Sequence, residues 1–456
     1  MTSISQRLLK NLSATSLGKG LNILTQLTLV PLFLEFWGTE LYGEWLILIA
    51  IPAYLVVSDF GFGHAAANEM AIAVSQDNKS KALKIFQATS MLIFITFLIF
   101  GICFGLILLA TPFDEWLGFS HIKRQEVLLV AFFLSVKIIV AQQFGLLHSA
   151  YRCVGRYAFG VMLENILIIF QFIGVVAALI LGANPWHVAL IELLVSMFVF
   201  VLVRWLLWVH VPWVCYGLPK DIVAVMKPIL YPAFAFLLYP FTQLILIQGT
   251  TLLTGMLLGS TAVVFYTTIR MLGNTSLRLL EVITISMWPE FSVAFGKKNF
   301  VLMRKLHRLG GTVVFWLSVI GFTLLIFFGE FVYMKWTGNH IKWDQTFFIL
   351  MILAVFAESL QIFSKVIPTA TNQHVRMTGW LLINALISLP ILWWFINISG
   401  LLGIPSMLFI HNVILSAVVL WYALHQLEEK PLDYFLYLVS PRVFYSNAKR
   451  VFRKIM

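Results

Sequence analysis

The sequence predicts an all-α polytopic membrane protein, and three observations carry the prediction. The 456 residues are 60% hydrophobic and 11% charged, with a mean hydropathy of +0.92. Soluble domains run at about 45–50% apolar and about 25% charged. Apolar runs of about 20 residues, the length that crosses a bilayer, recur along the whole chain. Lys and Arg collect in alternate connections, the signature of loops held on the cytoplasmic side.

Twelve transmembrane helices are read at 13–36, 41–66, 85–112, 124–149, 157–182, 187–211, 228–254, 259–287, 309–334, 344–370, 378–398 and 403–427. With the N-terminus inside, the basic residues fall on the cytoplasmic side in Arg7–Lys10, Lys79–Lys84, Arg152–Arg156, Arg204–Lys227, Lys297–Arg308, Arg376 and Lys430–Lys454. Only Lys123, Arg124, Lys335 and Lys342 fall outside, so both termini are expected in the cytoplasm. The net charge of +11 is then a topology signal, and no nucleic-acid partner is expected. Cys103, Cys153 and Cys215 show no pairing pattern, which speaks against a disulfide framework and against a metal knuckle.

The elements follow in order. The first span carries Thr15, Lys19, Asn22 and Gln26 at spacings of four, three and four, a one-sided polar stripe with a cation in it. Phe36-Trp37-Gly38 marks its outer end. The second span runs from Tyr42-Gly43-Glu44-Trp45 to Asp59-Phe60-Gly61, with Asn68-Glu69 downstream, and Asp59 and Glu69 sit near the cytoplasmic end. In the third, Gly101-x-x-x-Gly105 suggests a close helix contact. The fourth carries Lys137, Gln142 and Gln143, while Glu164, Asn165 and Glu192 lie near the ends of the fifth and sixth. Pro228, Pro232 and Pro240 predict a kinked or broken seventh span. The tenth carries Glu358, Gln361, Lys365, Thr369 and Asn372 on one face, at spacings of three, four, four and three. The tail after Glu428 is basic and aromatic and suits an anionic leaflet.

The eighth span is where the pattern is most strained. It is apolar enough to cross, yet Arg270, Asn274, Arg278 and Glu281 share one helical face at spacings of four, four and three. A charge near the bilayer centre costs about 2.5–3.5 kcal/mol on insertion scales, so it normally faces protein, water or a ligand. A cationic stripe needs an anion or a watery cavity to face.

The two halves match at a nearly fixed offset. Gly38 answers Gly259 and Glu69 answers Glu290 at 221 residues; Gly118 answers Gly338 and Arg156 answers Arg376 at 220. Duplication into parallel six-helix halves places a transporter's site between the halves. The expected organisation is therefore two pseudo-symmetric six-helix bundles, 1–212 and 228–427, around a central cavity, with a cytoplasmic linker at 213–227 and a tail at 428–456. No P-loop, HExxH, CxxC or GxSxG occurs, and no outer loop is long enough for a folded catalytic domain, so no enzyme is expected.

The run from Pro31 to Glu69 resembles the first two spans of the bacterial polysaccharide exporters, the O-antigen flippases (Wzx type) of the MOP superfamily. Trp37-Gly38, Tyr42-Gly43-x-Trp45 and Asp59-x-Gly61 with Asn68 carry the likeness. It implies two six-helix bundles around a cationic cavity. It also implies a cargo of undecaprenyl-pyrophosphate-linked oligosaccharide, flipped from the inner to the outer leaflet of the bacterial inner membrane. By the same likeness Lys19 and Arg270 are cavity cations. On that reading Lys19, Asn22, Lys137, Arg270, Arg278 and Lys365 contact cargo, and Glu281 and Glu358 are the residues to couple H⁺ or Na⁺. Gly38, Tyr42, Gly43, Asp59 and Gly61 are motif residues of the frame. Membrane lipids, and the polymerase and chain-length proteins of the same pathway, are the partners it implies. The alternatives are a multidrug exporter of the superfamily, which would favour an acidic cavity, and a membrane glycosyl polymerase or ligase, which would want a long outer loop.

Overall fold

The structure is a computed structural model that describes residues 4–219, 221–371 and 375–440. Asn372, Lys220 and the basic residues from Arg442 to Lys454 lie outside the described residues. The described residues form helices and connections without strands. We number the longer helices α1 (Ile4–Ala53), α2 (Phe62–Ser75), α3 (Lys79–Ala110), α4 (Arg124–Cys153), α5 (Tyr157–Ile180), α6 (Pro185–His210) and α7 (Leu230–Leu258). These are followed by α8 (Ser260–Gly296), α9 (Phe300–Trp336), α10 (Gln345–Ile362), α11 (Val366–Ala370), α12 (Val375–Ser399), α13 (Gly403–Gln426) and α14 (Pro431–Val439).

Nine stretches among the described residues are long and apolar enough to cross a membrane. Two of them, Ser13–Asp59 and Val375–Gln426, are 47 and 52 residues long, about twice what one crossing needs. The first breaks at Gly38, and the second breaks at the 3₁₀ turn Gly400–Leu402. Helix α8 is absent from the nine although it has 37 residues. Its charges remove it from a hydropathy criterion.

Backbone geometry repeats where the sequence repeats. Gly38 has φ 70 and ψ 179, and Gly259 has φ 86 and ψ 175. Both lie in a region open essentially to glycine alone, since a Cβ there meets the backbone. The turn before α3 and the turn before α9 are copies: Asp77 and Lys298 have φ 58 and 52, and the Asn78 and Asn299 side chains accept from Lys81 N and Leu302 N. Asn78 N donates to Ala73 O and Asn299 N to Ala294 O, both at 2.9 Å. Gly118 and Gly338 are also matched, at φ 65 and 63.

By packing, the chain divides into two compact units, Met1–Val263 and Val264–Met456. This division falls later than the 213–227 linker read from the repeat. Two features hold α7 and the start of α8 to the first unit. An added Cβ at Gly61 would run into the Ala233 carbonyl oxygen, and one at Gly43 into the Ser260 carbonyl oxygen, so backbones approach directly at both. The linker itself is strapped down, with Gln87 Nε2 donating to Cys215 O at 3.1 Å and the Arg204 guanidinium 5.2 Å from the Tyr216 ring centre. Burial pushes the Tyr216 hydroxyl up to about 12, against the opposing pull of Arg204.

Three local expectations are corrected. Helix α7 is continuous over 29 residues. Pro228 sits in the preceding 3₁₀ turn and Pro232 in the first helical turn, where the missing N–H has no partner to lose; only Pro240 lies inside. Gly101 and Gly105 make no helix contact, since nothing lies within 4 Å of an added Cβ at Gly105 and only Phe97 of the same helix does at Gly101. The tenth span breaks at 363–365 into α10 and α11. Pro368 explains the break, because its ring crowds the Ser364 carbonyl four residues back and supplies no N–H to it. That carbonyl instead takes Ile367 N at 3.2 Å.

Candidate functional site

In the second unit, α8 and the α10–α11 break bring the predicted charges together. Arg270 is half-buried, and its guanidinium carbon lies 5.1 Å from the ring centre of the fully buried Tyr266 one turn before it. The aromatic face stabilises the cation and aims it along α8. Glu358, half-buried on α10, has Arg270, Lys365 and Glu281 within electrostatic reach. Two helices far apart in sequence thus contribute a cation each to one carboxylate. Arg278 is half-buried on the same face of α8, and Glu281 is exposed one turn on. Within reach of Glu358 are the cations Arg270 and Lys365 and the carboxylate Glu281; with Arg278, which shares Arg270's face of α8 two turns on, these segments carry three cations against two carboxylates. In a low-dielectric setting such a surplus attracts an anion, and each Arg can offer it a fork of charge-assisted bonds.

Lys365 stands at the N-cap of α11, directly after the break that Pro368 imposes. The expected continuous stripe from Glu358 through Lys365 to Thr369 is therefore interrupted, and Gln361 of that stripe is buried.

The residues predicted in the first unit are placed differently. Lys19 is half-buried on α1. Beside it Gly18 leaves room for Asn165, whose Nδ2 donates to Ala14 O at 3.1 Å and ties α5 to α1. Asn22 is exposed and donates to Gly18 O of its own helix at 3.1 Å. Lys137 donates from Nζ to Glu192 Oε2 at 2.9 Å. The charge assigned to cargo is thus held by a carboxylate of α6, because α4 and α6 pack side by side and the pair satisfies both groups away from water.

The motif residues have visible work in the frame. Tyr42 is buried and stacks on Phe33 at 5.1 Å and 8°. Asp59 Oδ1 accepts Gly61 N at 2.6 Å, closing the turn that starts α2. Buried Glu44 accepts Ser120 N at 2.7 Å, His121 N at 3.0 Å and Ile122 N at 2.9 Å, which pins the connection into α4.

A polar site that the sequence reading passed over lies between α2, α4 and α5. A cavity of about 350 Å³ is lined by Asp59, Gln142, His148, Arg152, Tyr157 and Glu164 among others. His148 Nδ1 bonds to Glu164, and Arg152 donates to Asn68 Oδ1 at 3.0 Å. By sequence alone Glu164 is a residue near the end of the fifth span. The usable signal was symmetry: His148 and Glu164 stand equally far from Arg156 at the α4–α5 turn, so they face each other. Gly160 supplies the space for the imidazole ring.

No protein-family model and no curated protein matches the sequence. Solved structures do. The lipid II flippase MurJ in an inward closed conformation is similar with a TM-score of 0.69 and 15% identity, covering 96% of this chain and 90% of that one. An inward-facing multidrug resistance MATE family transporter of the MOP superfamily gives 0.64 and 14%, over 92% and 97% of the two chains. A Vibrio cholerae MATE transporter gives 0.63 and 14%, over 94% and 99%. At these identities the likeness is one of fold, and it extends over nearly the whole of each chain. This chain has the multi-pass membrane fold of the MOP-superfamily transporters.

Proposed function

We propose that the protein is a flippase for a polyprenyl-pyrophosphate-linked oligosaccharide, working by alternating access in the bacterial inner membrane. On this reading it makes twelve crossings with both termini cytoplasmic and catalyses no bond chemistry. The observation that carries it is the grouping of Arg270 and Lys365 about Glu358, with Arg278 on the same face of α8, so that these apolar segments carry more cations than carboxylates. A pyrophosphate brings about two negative charges, which charge-assisted bonds from Arg and Lys would hold away from bulk water. The polyprenyl tail can remain in lipid throughout. Glu358 and Glu281 neutralise the cations between cargoes and are the groups to couple H⁺ or Na⁺. Lipids, and a polymerase and chain-length proteins of the same pathway, are its expected partners.

The second reading, a multidrug exporter, is supported by the likeness to the MATE transporters. The charge balance of the cluster favours the anionic cargo. The deciding experiment is flipping of a fluorescent undecaprenyl-pyrophosphate oligosaccharide in proteoliposomes, read by quenching at the outer leaflet. The expected result is access that rises with the protein and falls with Arg270→Ala. No rise, with a cationic dye moved in the same vesicles, would replace this reading by the exporter.

A further inference from the structure

The connection beyond α13 is built in a way that a simple tail does not require. Helix α14 seats one residue, Tyr434, deep against α9, where it is 3% exposed. Its ring stacks on His307 at 4.4 Å and 10°. Phe363 lies against the same imidazole, at 6.1 Å and 20°. His307 thus meets both a residue of α14 and the first residue of the α10–α11 break. His307 Nε2 lies 3.0 Å from Ser364 Oγ, which ties the imidazole to the break.

Tandem glycines on α9 make the two seats. An added Cβ at Gly311 would strike the Tyr434 hydroxyl, and one at Gly310 would strike the Phe363 ring. A charged tie reinforces the seat: Arg308 Nε donates to Glu429, whose carboxylate side chain is 1% exposed and lies 3.8 Å from His307 Nδ1. Arg308 also lies 5.4 Å from the ring centre of Tyr437, one turn along α14 from Tyr434.

While Tyr434 points inward, the opposite side of α14 exposes Leu432, Phe435, Leu436 and Val439 at 68, 55, 63 and 39%. Those positions follow the i, i+3, i+4, i+7 pattern of a helix lying in a membrane interface. Residues 441–456 add Arg442, Lys449, Arg450, Arg453 and Lys454 and no acidic residue, a charge that an anionic leaflet complements.

We propose that α14 is a lever between the lipid leaflet and Lys365. Its apolar stripe is held in the headgroup boundary, and the Tyr434–His307–Phe363 stack passes its position to Ser364, the residue before Lys365. A change in how α14 lies on the membrane then shifts the break and the cation that stands on it. The lever gains its purpose from the reading of Lys365 as a cargo contact. Its test is scored without transport, so the two fail separately.

The experiment uses the full chain in nanodiscs of phosphatidylethanolamine and phosphatidylglycerol, with Cys103 and Cys215 replaced by serine and Cys153 kept as an internal reference. A polarity-sensitive fluorophore on Leu436→Cys should be quenched by brominated lipids. The labelling rate of Lys365→Cys by a maleimide should change about three- to tenfold when Tyr434→Leu removes the ring stacked on His307, the effect of one aromatic pair lost. Gly311→Ala, which unseats the ring, should change it in the same direction, with Cys153 unaltered in both. Either a Leu436→Cys probe that reports water or a Lys365→Cys rate indifferent to both variants would overturn the lever. Should Gly311→Ala fail to fold, Tyr434→Leu decides alone.

Discussion

Replacing Arg270 by alanine removes a cation from the cluster around Glu358, and a cycle with Glu358→Gln separates two reasons why that could matter. If Arg270 holds an anionic cargo, its loss removes a hydrogen bond to a charged group, worth about 1.5–3 kcal/mol. At about 1.4 kcal/mol per decade, binding weakens about ten- to 150-fold. If Arg270 serves only to neutralise Glu358, the damage comes from stranding a carboxylate away from water, and deleting that charge should repair it. The two residues are electrostatically coupled, so their single effects will not add. The cargo reading therefore predicts that Glu358→Gln alone binds the pyrophosphate at least as tightly as the unaltered protein. It also predicts that Arg270→Ala with Glu358→Gln remains defective. Arg270→Lys should fall between, since it keeps the charge and loses the planar fork. Binding is measured by competition with a soluble polyprenyl pyrophosphate of short chain, in detergent, on protein of unchanged thermal stability. A double variant that binds like the unaltered protein would refute the reasoning, and Arg270 would be a structural counter-ion.

Three further outcomes follow from the geometry. Gly38→Ala and Gly259→Ala should each destabilise by about 1–3 kcal/mol, because both backbones sit where a Cβ is strained, whereas Gly105→Ala should be close to neutral; thermal unfolding of the purified variants checks this. Lys137→Met leaves Glu192 stranded and should cost about 1–3 kcal/mol, most of it recovered when Glu192→Gln is added, by the same measurement. The seat of α14 should be sensitive to acid. Burial raises the Glu429 carboxyl, but the ties to His307 and Arg308 outweigh it and hold it below the ordinary carboxylate value. A depressed carboxylate contributes stability that is complete above its unfolded value and is lost as pH falls through the folded one. Release of a fluorophore-labelled α14 below about pH 4.3, the usual Glu range, and its disappearance in Glu429→Gln, is the expected titration.

The eighth-span charges were legible in the sequence for an energetic reason. An Arg in an apolar run is costly, so its presence demands an explanation, and one helical period already places Arg270, Arg278 and Glu281 on one face. The duplication was legible because two of its four marker pairs are glycines, and the Gly38 and Gly259 conformations are open essentially to glycine alone. What stayed hidden was pairing across long separations. Nothing about Lys137 announces Glu192, and nothing in the run Lys305-Leu306-His307-Arg308 announces Glu429, because partners on packed helices are set by contact and not by periodicity. The break at 363–365 has its local cause in Pro368, but a proline alone does not announce a break, since Pro240 sits inside a continuous α7. The regular polar spacing through Glu358, Gln361 and Lys365 argued for an uninterrupted helix, and a proline four residues past Ser364 outweighs spacing. Hydropathy failed at α8 for the reason that makes α8 interesting: the charges that mark a site also disqualify a span.

The repeat itself bears on why those charges are present. At the observed offsets, Arg270, Arg278 and Glu281 correspond to Ile49, Val57 and Phe60 in the first copy, while Glu358 and Lys365 correspond to Ile138 and Gly145. The features that the backbone demands are shared by both copies: the Gly38 and Gly259 conformations, the Asn78 and Asn299 caps, and the Gly118 and Gly338 turns. The cations and carboxylates of the cluster are not shared. One copy therefore fills the corresponding positions with apolar residues or glycine, so the shared architecture does not call for charge at these positions. Their insertion cost in the second copy is then a cost incurred for something other than folding. A binding role for Arg270 and Lys365 supplies that reason, and it places the chemical specificity of a duplicated frame in the half that departs from the duplication.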